Sequence, residues 1–170
     1  MANIVRDENI IIQTMDTSMS YDVWKNSLDE DNRRFVPDEV FETLEEATEV
    51  VDFIIKSYES EDGPYIYAII RKEDNANMGY VQLVKIEEGF EIGYHIAKRY
   101  TGKGYATEAV NLFLKYLKEN LYLKEIYGIA LSTNKASKRV LEKCGFKKIY
   151  EGPGIYQGKR RKIIRTIKKL

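Results

Sequence analysis

The amino-acid sequence predicts an α/β fold in which a mixed, mainly antiparallel sheet of about seven strands is flanked by about four helices. Two observations carry this prediction. Three runs rich in β-branched and aromatic residues, joined by short turns, fill residues 65–96 and predict an antiparallel meander. Apolar residues recur at helical spacing after Thr43 and again after Gly104, which predicts two amphipathic helices.

The strands are placed by short apolar runs that lie between turn residues. We expect them at residues 10–14, 65–71, 79–86, 90–96, 125–131, 146–151 and 161–167. Turns are predicted at Asp62-Gly63-Pro64 and at Gly152-Pro153-Gly154, because glycine and proline interrupt strands. We expect Arg161, Lys162 and Arg165 of the last strand to face water at an edge of the sheet.

The helices are placed by their end signals. The first is expected around residues 21–28. Thr43 and Glu46 have the spacing of a capping box, and the helix after them continues to about residue 58. A third helix begins at Gly104 and ends near residue 120, and a fourth covers residues 135–144 and ends before Gly145.

Length and charge predict one soluble domain that spans residues 1–170. Basic and acidic residues number 27 each, so the overall charge does not favour nucleic-acid binding. The charges are unevenly distributed: residues 1–62 hold 17 acidic and five basic side chains, whereas residues 159–170 hold seven basic ones and no acid. One end of the chain is therefore acidic and the other basic.

The scarcity of cysteine and histidine limits the chemistry. Cys144 and His95 are the only residues of their types, so the sequence predicts neither a disulfide nor a metal site. The first eight residues are too charged for a signal peptide, and no apolar run approaches the roughly 18 residues that cross a bilayer. We therefore expect a cytoplasmic protein without a membrane partner.

The segment from Arg99 to Gly104 predicts an anion site. Its glycines, Gly102 and Gly104, lie between the end of a strand and the start of a helix, where unpaired N–H groups and the helix dipole favour a pyrophosphate. The alternative is that these glycines merely form a tight turn. A dinucleotide fingerprint would need a small residue in place of Thr107, and a P-loop would need serine or threonine after Lys103.

Two blocks of the sequence resemble the GNAT acetyltransferases. Arg99-x-x-Gly102-x-Gly104 matches their acetyl-CoA loop, Gln/Arg-x-x-Gly-x-Gly/Ala. Residues 91–97 and 104–109 resemble the branch that contains the ribosomal-protein N-terminal acetyltransferases. Asn134-x-x-Ser137, followed by residues 142–146, stands at the spacing of the family's later cofactor motif. The resemblance covers about residues 10–146.

This resemblance implies a GNAT-like fold and direct transfer of acetyl from acetyl-CoA to a primary amine without a metal. The first expectation for the acceptor is the α-amine at a protein or peptide N-terminus, and polyamines and aminoglycoside-like amines are the small-molecule alternatives. A non-catalytic acyl-CoA sensor is a further alternative. The oligomeric state, a homodimer included, stays open.

The resemblance also assigns cofactor contacts. It implies that the strand residues Tyr94, His95 and Ile96 pair with pantetheine through their backbone, that one of their N–H groups polarises the thioester, and that Asn134 and Ser137 contact the arm. Lys138 or Arg139 would meet the adenosine phosphates. The loop residues implied to hold the pyrophosphate are Gly102, Lys103, Gly104, Tyr105 and Ala106, with Arg99 opening the motif.

The acid and the base each have more than one interpretation. Leu141 stands where many family members carry a tyrosine that protonates the leaving thiolate. Ser137 is the first candidate for the acid; otherwise it packs or binds cofactor, and CoA leaves as a thiolate. His95 and Glu91 are rival candidates for the base, although a lone strand histidine is more often simply packed or exposed.

The acidic first third of the chain offers a hint about the acceptor. In the family the first two helices border the acceptor cleft, so residues 29–31 and 45–46 are placed to attract a cationic amine. The alternative is that these carboxylates lie on solvated helix faces.

Overall fold

The computed structural model describes residues 3–61 and 63–170, which form an eight-stranded sheet and five α-helices. The strands are β1 (Asn3–Arg6), β2 (Ile10–Thr14), β3 (Tyr65–Arg71), β4 (Asn77–Ile86), β5 (Gly89–Ile96), β6 (Glu125–Leu131), β7 (Lys147–Tyr156) and β8 (Lys159–Lys169). The helices are α1 (Ser20–Ser27), α2 (Glu30–Phe35), α3 (Leu44–Ser57), α4 (Tyr105–Asn120) and α5 (Lys135–Lys143). The predicted mixed α/β fold is confirmed, with one strand and one helix more than expected.

The sheet has the order β1-β2-β3-β4-β5-β6-β8-β7, and its neighbours are antiparallel except for β5 and β6. The predicted antiparallel meander is β3-β4-β5. The strands β5 and β6 pair only at Glu91 and Tyr127 and then diverge. The two strands therefore form a wedge, and the edge of β5 beyond Glu91 has no β6 partner among the described residues.

Alternating side chains divide the interior into two layers. On β3, Ile69 belongs to the larger core, where Phe113 and Leu117 of α4 are fully buried. Its neighbour Ala68 joins a smaller core on the opposite face, together with Ile54 of α3. The predicted capping box of α3 is confirmed, because Thr43 Oγ1 accepts from the Glu46 N–H while the Glu46 carboxylate accepts from the Thr43 N–H.

Two expectations for the C-terminal hairpin are wrong. Gly152, Pro153 and Gly154 do not turn the chain but lie inside β7, where Pro153 is tolerated because β7 is the edge strand of the sheet. The turn comes at Gln157 and Gly158, both with positive φ. Since β7 occupies the edge, β8 is an interior strand.

The side chains of the basic segment are accordingly not all solvent-facing edge residues. Arg161 and Lys162 are exposed, but the Arg165 side chain is 27% exposed and its guanidinium pairs with Glu88 at 2.8 Å.

The sequence analysis also missed β1 and α2, which are short elements without periodic apolar signals. The turn predicted at Asp62-Gly63-Pro64 begins at Asp62, which lies outside the described residues. Throughout 3–61 and 63–170, every helix falls short of the length or apolar character needed to cross a membrane.

Candidate functional site

The loop between β5 and α4 has the backbone conformation that glycine permits. Gly102 has φ 78° and Gly104 has φ 87°, both in the left-handed region that glycine adopts readily. A Cβ added at either position would meet no other atom within 4 Å. The glycines are therefore needed for their conformation, and the space beside them is open to a ligand.

The helix α4 begins directly at this loop and presents unpaired donors. Gly104 is its N-cap residue, and the first intrahelical bond runs from the Glu108 N–H to the Gly104 carbonyl at 3.0 Å. The N–H groups of Tyr105 and Ala106 precede that bond and have no acceptor within the helix. Together with the dipole of a 16-residue helix, they form an anion-binding terminus.

Two arginines pack against the tyrosine that precedes the loop glycines. The guanidinium carbons of Arg71 and Arg99 lie 5.0 Å and 4.8 Å from the centroid of the Tyr100 ring. Arg71 is fixed in turn by Asp74, with a 2.6 Å ion pair. The structure therefore places Arg99 as a support of the loop, outside the cleft described next.

A cleft of about 160 Å³, here called the cofactor cleft, opens where β5 leaves β6. Six of the predicted cofactor residues line it, and residues of α2 form the opposite wall. The predicted residues that line it are Tyr94, His95, Ile96, Ala106, Asn134 and Ser137. Gly102, Lys103, Gly104 and Tyr105 belong to the loop at its rim, whereas Arg139 is exposed on α5 and Glu91 lies at the base of the wedge, both outside the lining.

The N-terminus of α5 shows a hydroxyl pair that sequence reasoning missed. Asn134 caps the helix, since its side-chain oxygen accepts from the Ser137 N–H at 3.0 Å. The Tyr94 hydroxyl donates to the Ser137 carbonyl at 2.9 Å and lies 3.0 Å from Ser137 Oγ. Burial raises the pKa of Tyr94, so its phenol keeps its proton at neutral pH. Leu141 is 2% exposed and packs against Gly128, which confines it to the core.

The short helix α2 closes the outer side of the cofactor cleft. Asp29 Oδ2 accepts from the Lys98 N–H at 2.5 Å, and Asp31 pairs with the Lys98 ammonium at 2.9 Å. Both acids line the cleft, but Asp31 already pairs with an ammonium and Asp29 with a backbone N–H. Glu46, from the second acidic run, is used by the capping box of α3.

A second cavity of about 140 Å³, here called the inner cavity, lies between the sheet and α1, α2 and α3. Asn32, Tyr80 and His95 line both the inner cavity and the cofactor cleft, so the two adjoin at these residues. The apolar walls are formed by Met15, Val23, Phe41, Val50, Ile54 and Ile66. Its polar lining includes the buried amides of α1, α2 and β4 and the carboxyl group of Glu39.

The titratable groups around the inner cavity are shifted by burial. Burial lowers the pKa of His95 to about 4, against the opposing effect of Asp29 and Asp31, so the imidazole is neutral at pH 7. Burial, and then the charge of Asp38, raise the pKa of Glu39 to about 7, and the Tyr80 hydroxyl donates to the Glu39 carboxylate.

Glu39 was missed because it lies in a single 3₁₀ turn (Pro37–Glu39) between α2 and α3 and belongs to no motif; acidity was the only signal in the sequence. Glu91, which the sequence did single out, also has its pKa raised to about 7 by burial, with Arg165 opposing the shift. The catalytic roles of Glu91, His95 and Ser137 stay predictions.

Comparison with known proteins points to one family. Residues 14–147 match the model of the acetyltransferase (GNAT) domain. The chain is 38% identical over 91 residues to the Probable N-acetyltransferase YjcK of Bacillus subtilis (strain 168), an alignment that covers 51% of this chain and 50% of YjcK. The matched stretch therefore spans half the length of that relative.

Solved structures agree at the level of the fold. An acetyltransferase of the GNAT family from Bacillus anthracis superimposes with a TM-score of 0.83 at 23% identity, with 97% of both chains covered. RimL, a ribosomal alpha-N-protein acetyltransferase solved with coenzyme A, superimposes with a TM-score of 0.84 at 16% identity, with 99% of this chain and 98% of RimL covered.

Proposed function

The chain belongs to the GNAT family of acetyltransferases, and on that premise we propose that it transfers acetyl from acetyl-CoA to the α-amine at a peptide or protein N-terminus. One observation carries the proposal: an anion-binding loop and an unpaired strand edge border a cleft that shares His95 with a second cavity, which is lined by Glu39.

The cofactor contacts follow from the backbone. The N–H groups of residues 102–106 bind the pyrophosphate, and the free edge of β5 pairs with pantetheine as an added strand would. This arrangement brings the thioester to the place where both cavities share His95. A β5 N–H then polarises the carbonyl oxygen. Arg139 of α5 is assigned to the adenosine phosphates.

The reaction is a direct displacement. The amine nitrogen bonds to the carbonyl carbon of the thioester, the carbon–sulfur bond breaks, and one proton passes from nitrogen to a base. Glu39 fits the role of the base. It lines the inner cavity, its carboxylate accepts a hydrogen bond from Tyr80, which lines both cavities, and its pKa is raised to about 7. Neutral His95 and Glu91 are the rival bases from the sequence.

This base suits an α-amine better than a lysine or a polyamine. An α-amine has a pKa of roughly 7.7–8.0, so its deprotonation at pH 7 costs about 1 kcal/mol, whereas an amine of pKa ~10.4 costs about 5 kcal/mol. A carboxylate of pKa about 7 removes a proton from the first without further activation. The acceptor proposal therefore rests on the match between these two pKa values.

The leaving thiolate has hydroxyl donors nearby. Ser137 lines the cofactor cleft, and Tyr94 Oη lies 3.0 Å from Ser137 Oγ. Ser137 passes its proton to the sulfur, Tyr94 replaces the proton on Ser137, and water returns a proton to Tyr94, so this pair takes the place of the tyrosine that Leu141 replaces. A protein with such a pair is an enzyme rather than a passive acyl-CoA sensor.

The test is a panel of acceptors assayed by thiol release from acetyl-CoA. The panel holds a peptide with a free N-terminus, the same peptide with a blocked N-terminus and an internal lysine, a polyamine and an aminoglycoside. Release with the free peptide and none with the blocked one supports the proposal. Faster thiol release with the polyamine or the aminoglycoside indicates a small-molecule amine as the acceptor instead of a peptide N-terminus. Binding of acetyl-CoA without thiol release in the presence of any amine indicates a sensor.

A further inference from the structure

The inner cavity is bordered by three carboxamide side chains that are almost fully buried. Asn26, Asn32 and Asn77 are 4%, 2% and 3% exposed. Each has a side-chain atom without a partner in the described part of the protein: the oxygens of Asn26 and Asn32 and the nitrogen of Asn77. Because a buried polar group without a partner is costly, three of them on residues that line one cavity indicate a polar ligand.

Hydrogen bonds fix the orientation of two of these amides. Asn26 Nδ2 donates to the Asn77 carbonyl at 3.0 Å, which leaves its oxygen as an acceptor. Asn77 Oδ1 accepts from the Gly79 N–H at 3.0 Å, which leaves its nitrogen as a donor. Two acceptors and one donor therefore lie unpaired on residues that line the cavity, whose other walls are largely apolar.

The size of the cavity limits what can enter. At about 140 Å³ it is close to the roughly 150 Å³ cavity that holds one benzene molecule. The cavity adjoins the cofactor cleft, because the same three residues, Asn32, Tyr80 and His95, line both. A group that fills it is therefore directly attached to the atom that reacts there.

Resting on the proposed function, we infer that the inner cavity recognises the group next to the acceptor amine and selects a compact one that ends in a hydroxyl or a carboxamide. A hydroxyl donates to the oxygen of Asn32, which also borders the cofactor cleft, and accepts from the nitrogen of Asn77. An aliphatic group of equal size leaves all three atoms unpaired. A side chain larger than a single benzene ring does not fit. In a peptide this group is the first side chain; in a free amine it is the substituent beside the nitrogen.

The test compares groups of equal shape. Two peptides that differ only in a first residue of threonine or valine are assayed, together with threoninamide and valinamide. We expect kcat/KM for threonine to exceed that for valine by about tenfold or more, because valine leaves the amides unpaired. The peptide and amide pairs then show which source of the group is preferred. Equal values for threonine and valine, as expected if water alone occupies the cavity, overturn the inference.

Substitution of Asn32 tests the assignment to these atoms. Asn32→Leu removes the acceptor, so the preference for threonine should fall to about twofold or less through a higher KM for the peptide, with the KM for acetyl-CoA unchanged. Asn32→Asp keeps an oxygen at the same place and should retain the preference. Asn111→Leu, on the exposed side of α4, is the control and should change neither. A preference that survives Asn32→Leu contradicts the assignment.

Calorimetry separates this inference from the proposed reaction. The threonine and valine peptides are titrated into wild-type protein saturated with CoA, where no turnover occurs. Tighter binding of the threonine peptide by about tenfold, without thiol release from any amine, supports the inference and removes the proposed reaction. Transfer to both peptides with equal affinity and rate removes the inference alone.

Discussion

The cofactor cleft and the inner cavity meet at His95 but are built from different parts of the chain. One wall of the cleft depends on backbone groups within a short, contiguous segment, where Gly102 and Gly104 turn the chain into α4. The inner cavity is formed by side chains from well-separated elements, such as Asn26 of α1, Glu39 after α2 and Tyr80 of β4. A backbone site of this kind suits a fixed cofactor, whereas a side-chain site can change its acceptor by single substitutions.

The largest expected effect tests whether the inner cavity holds the base. Glu39→Gln should lower kcat about 100-fold, because a general base typically contributes at least that factor, while the affinity for acetyl-CoA stays unchanged. The wild-type kcat/KM should rise with pH through about 7 as Glu39 loses its proton, and the variant should lack that rise.

Glu91→Gln and His95→Ala are measured in the same series. A larger loss of kcat in either of them, with Glu39→Gln active, would return the role of the base to the residues singled out from the sequence. A loss of acetyl-CoA affinity in Glu39→Gln would contradict the claim that the cleft binds the cofactor while the inner cavity serves the acceptor.

The second prediction concerns the cleft. Gly104→Ala should weaken CoA binding about tenfold or more, because its Cβ intrudes where the phosphates approach and alanine disfavours positive φ. Gly158→Ala is the matched control, since Gly158 has φ 68°, equally open surroundings and a place in the β7–β8 turn. Both variants should lose similar stability, and only Gly104→Ala should lose affinity in a calorimetric titration.

A smaller effect is expected at the hydroxyl pair. Ser137→Ala and Tyr94→Phe should each lower kcat several-fold, and the double variant should lose little more than the single ones, because both act on one proton. Rates are measured with acetyl-CoA and with a thioester whose thiol is a better leaving group. Fully additive losses, or losses that the better leaving group does not reduce, would limit Ser137 and Tyr94 to packing.

The smallest effect is a pH-dependent change in stability. The folded pKa of Glu39, about 7, lies above its unfolded value, so the folded state holds the extra proton and wild-type stability falls as pH rises between these values. Glu39→Gln should therefore raise Tm more at pH 8 than at pH 4. Glu42→Gln is the control of opposite sign, because Arg33 lowers the pKa of Glu42. Equal changes of Tm at both pH values for Glu39→Gln would contradict its burial.

The sequence was informative where structure depends on local backbone signals. The capping pair of Thr43 and Glu46 and the glycines of the loop each lie within a few residues of what they determine, and both were located correctly.

Features that depend on distant contacts could not be predicted. Pro153 interrupts a strand in most contexts, and only the edge position of β7 makes it compatible with pairing. The pKa of Glu39 is set by its burial, and the partner of the Tyr94 hydroxyl lies 43 residues away in sequence. No local pattern of residues records such contacts, which is why the acceptor side was the weaker part of the sequence analysis.

Hydrogen–deuterium exchange with and without CoA tests the central claim most directly. If the main-chain donors of residues 102–106 bind the diphosphate, CoA should slow their exchange and that of residues 94–96 on the free edge of β5, while the amides of α3 stay unchanged. Protection absent from residues 102–106, with CoA bound elsewhere or not at all, would contradict the account.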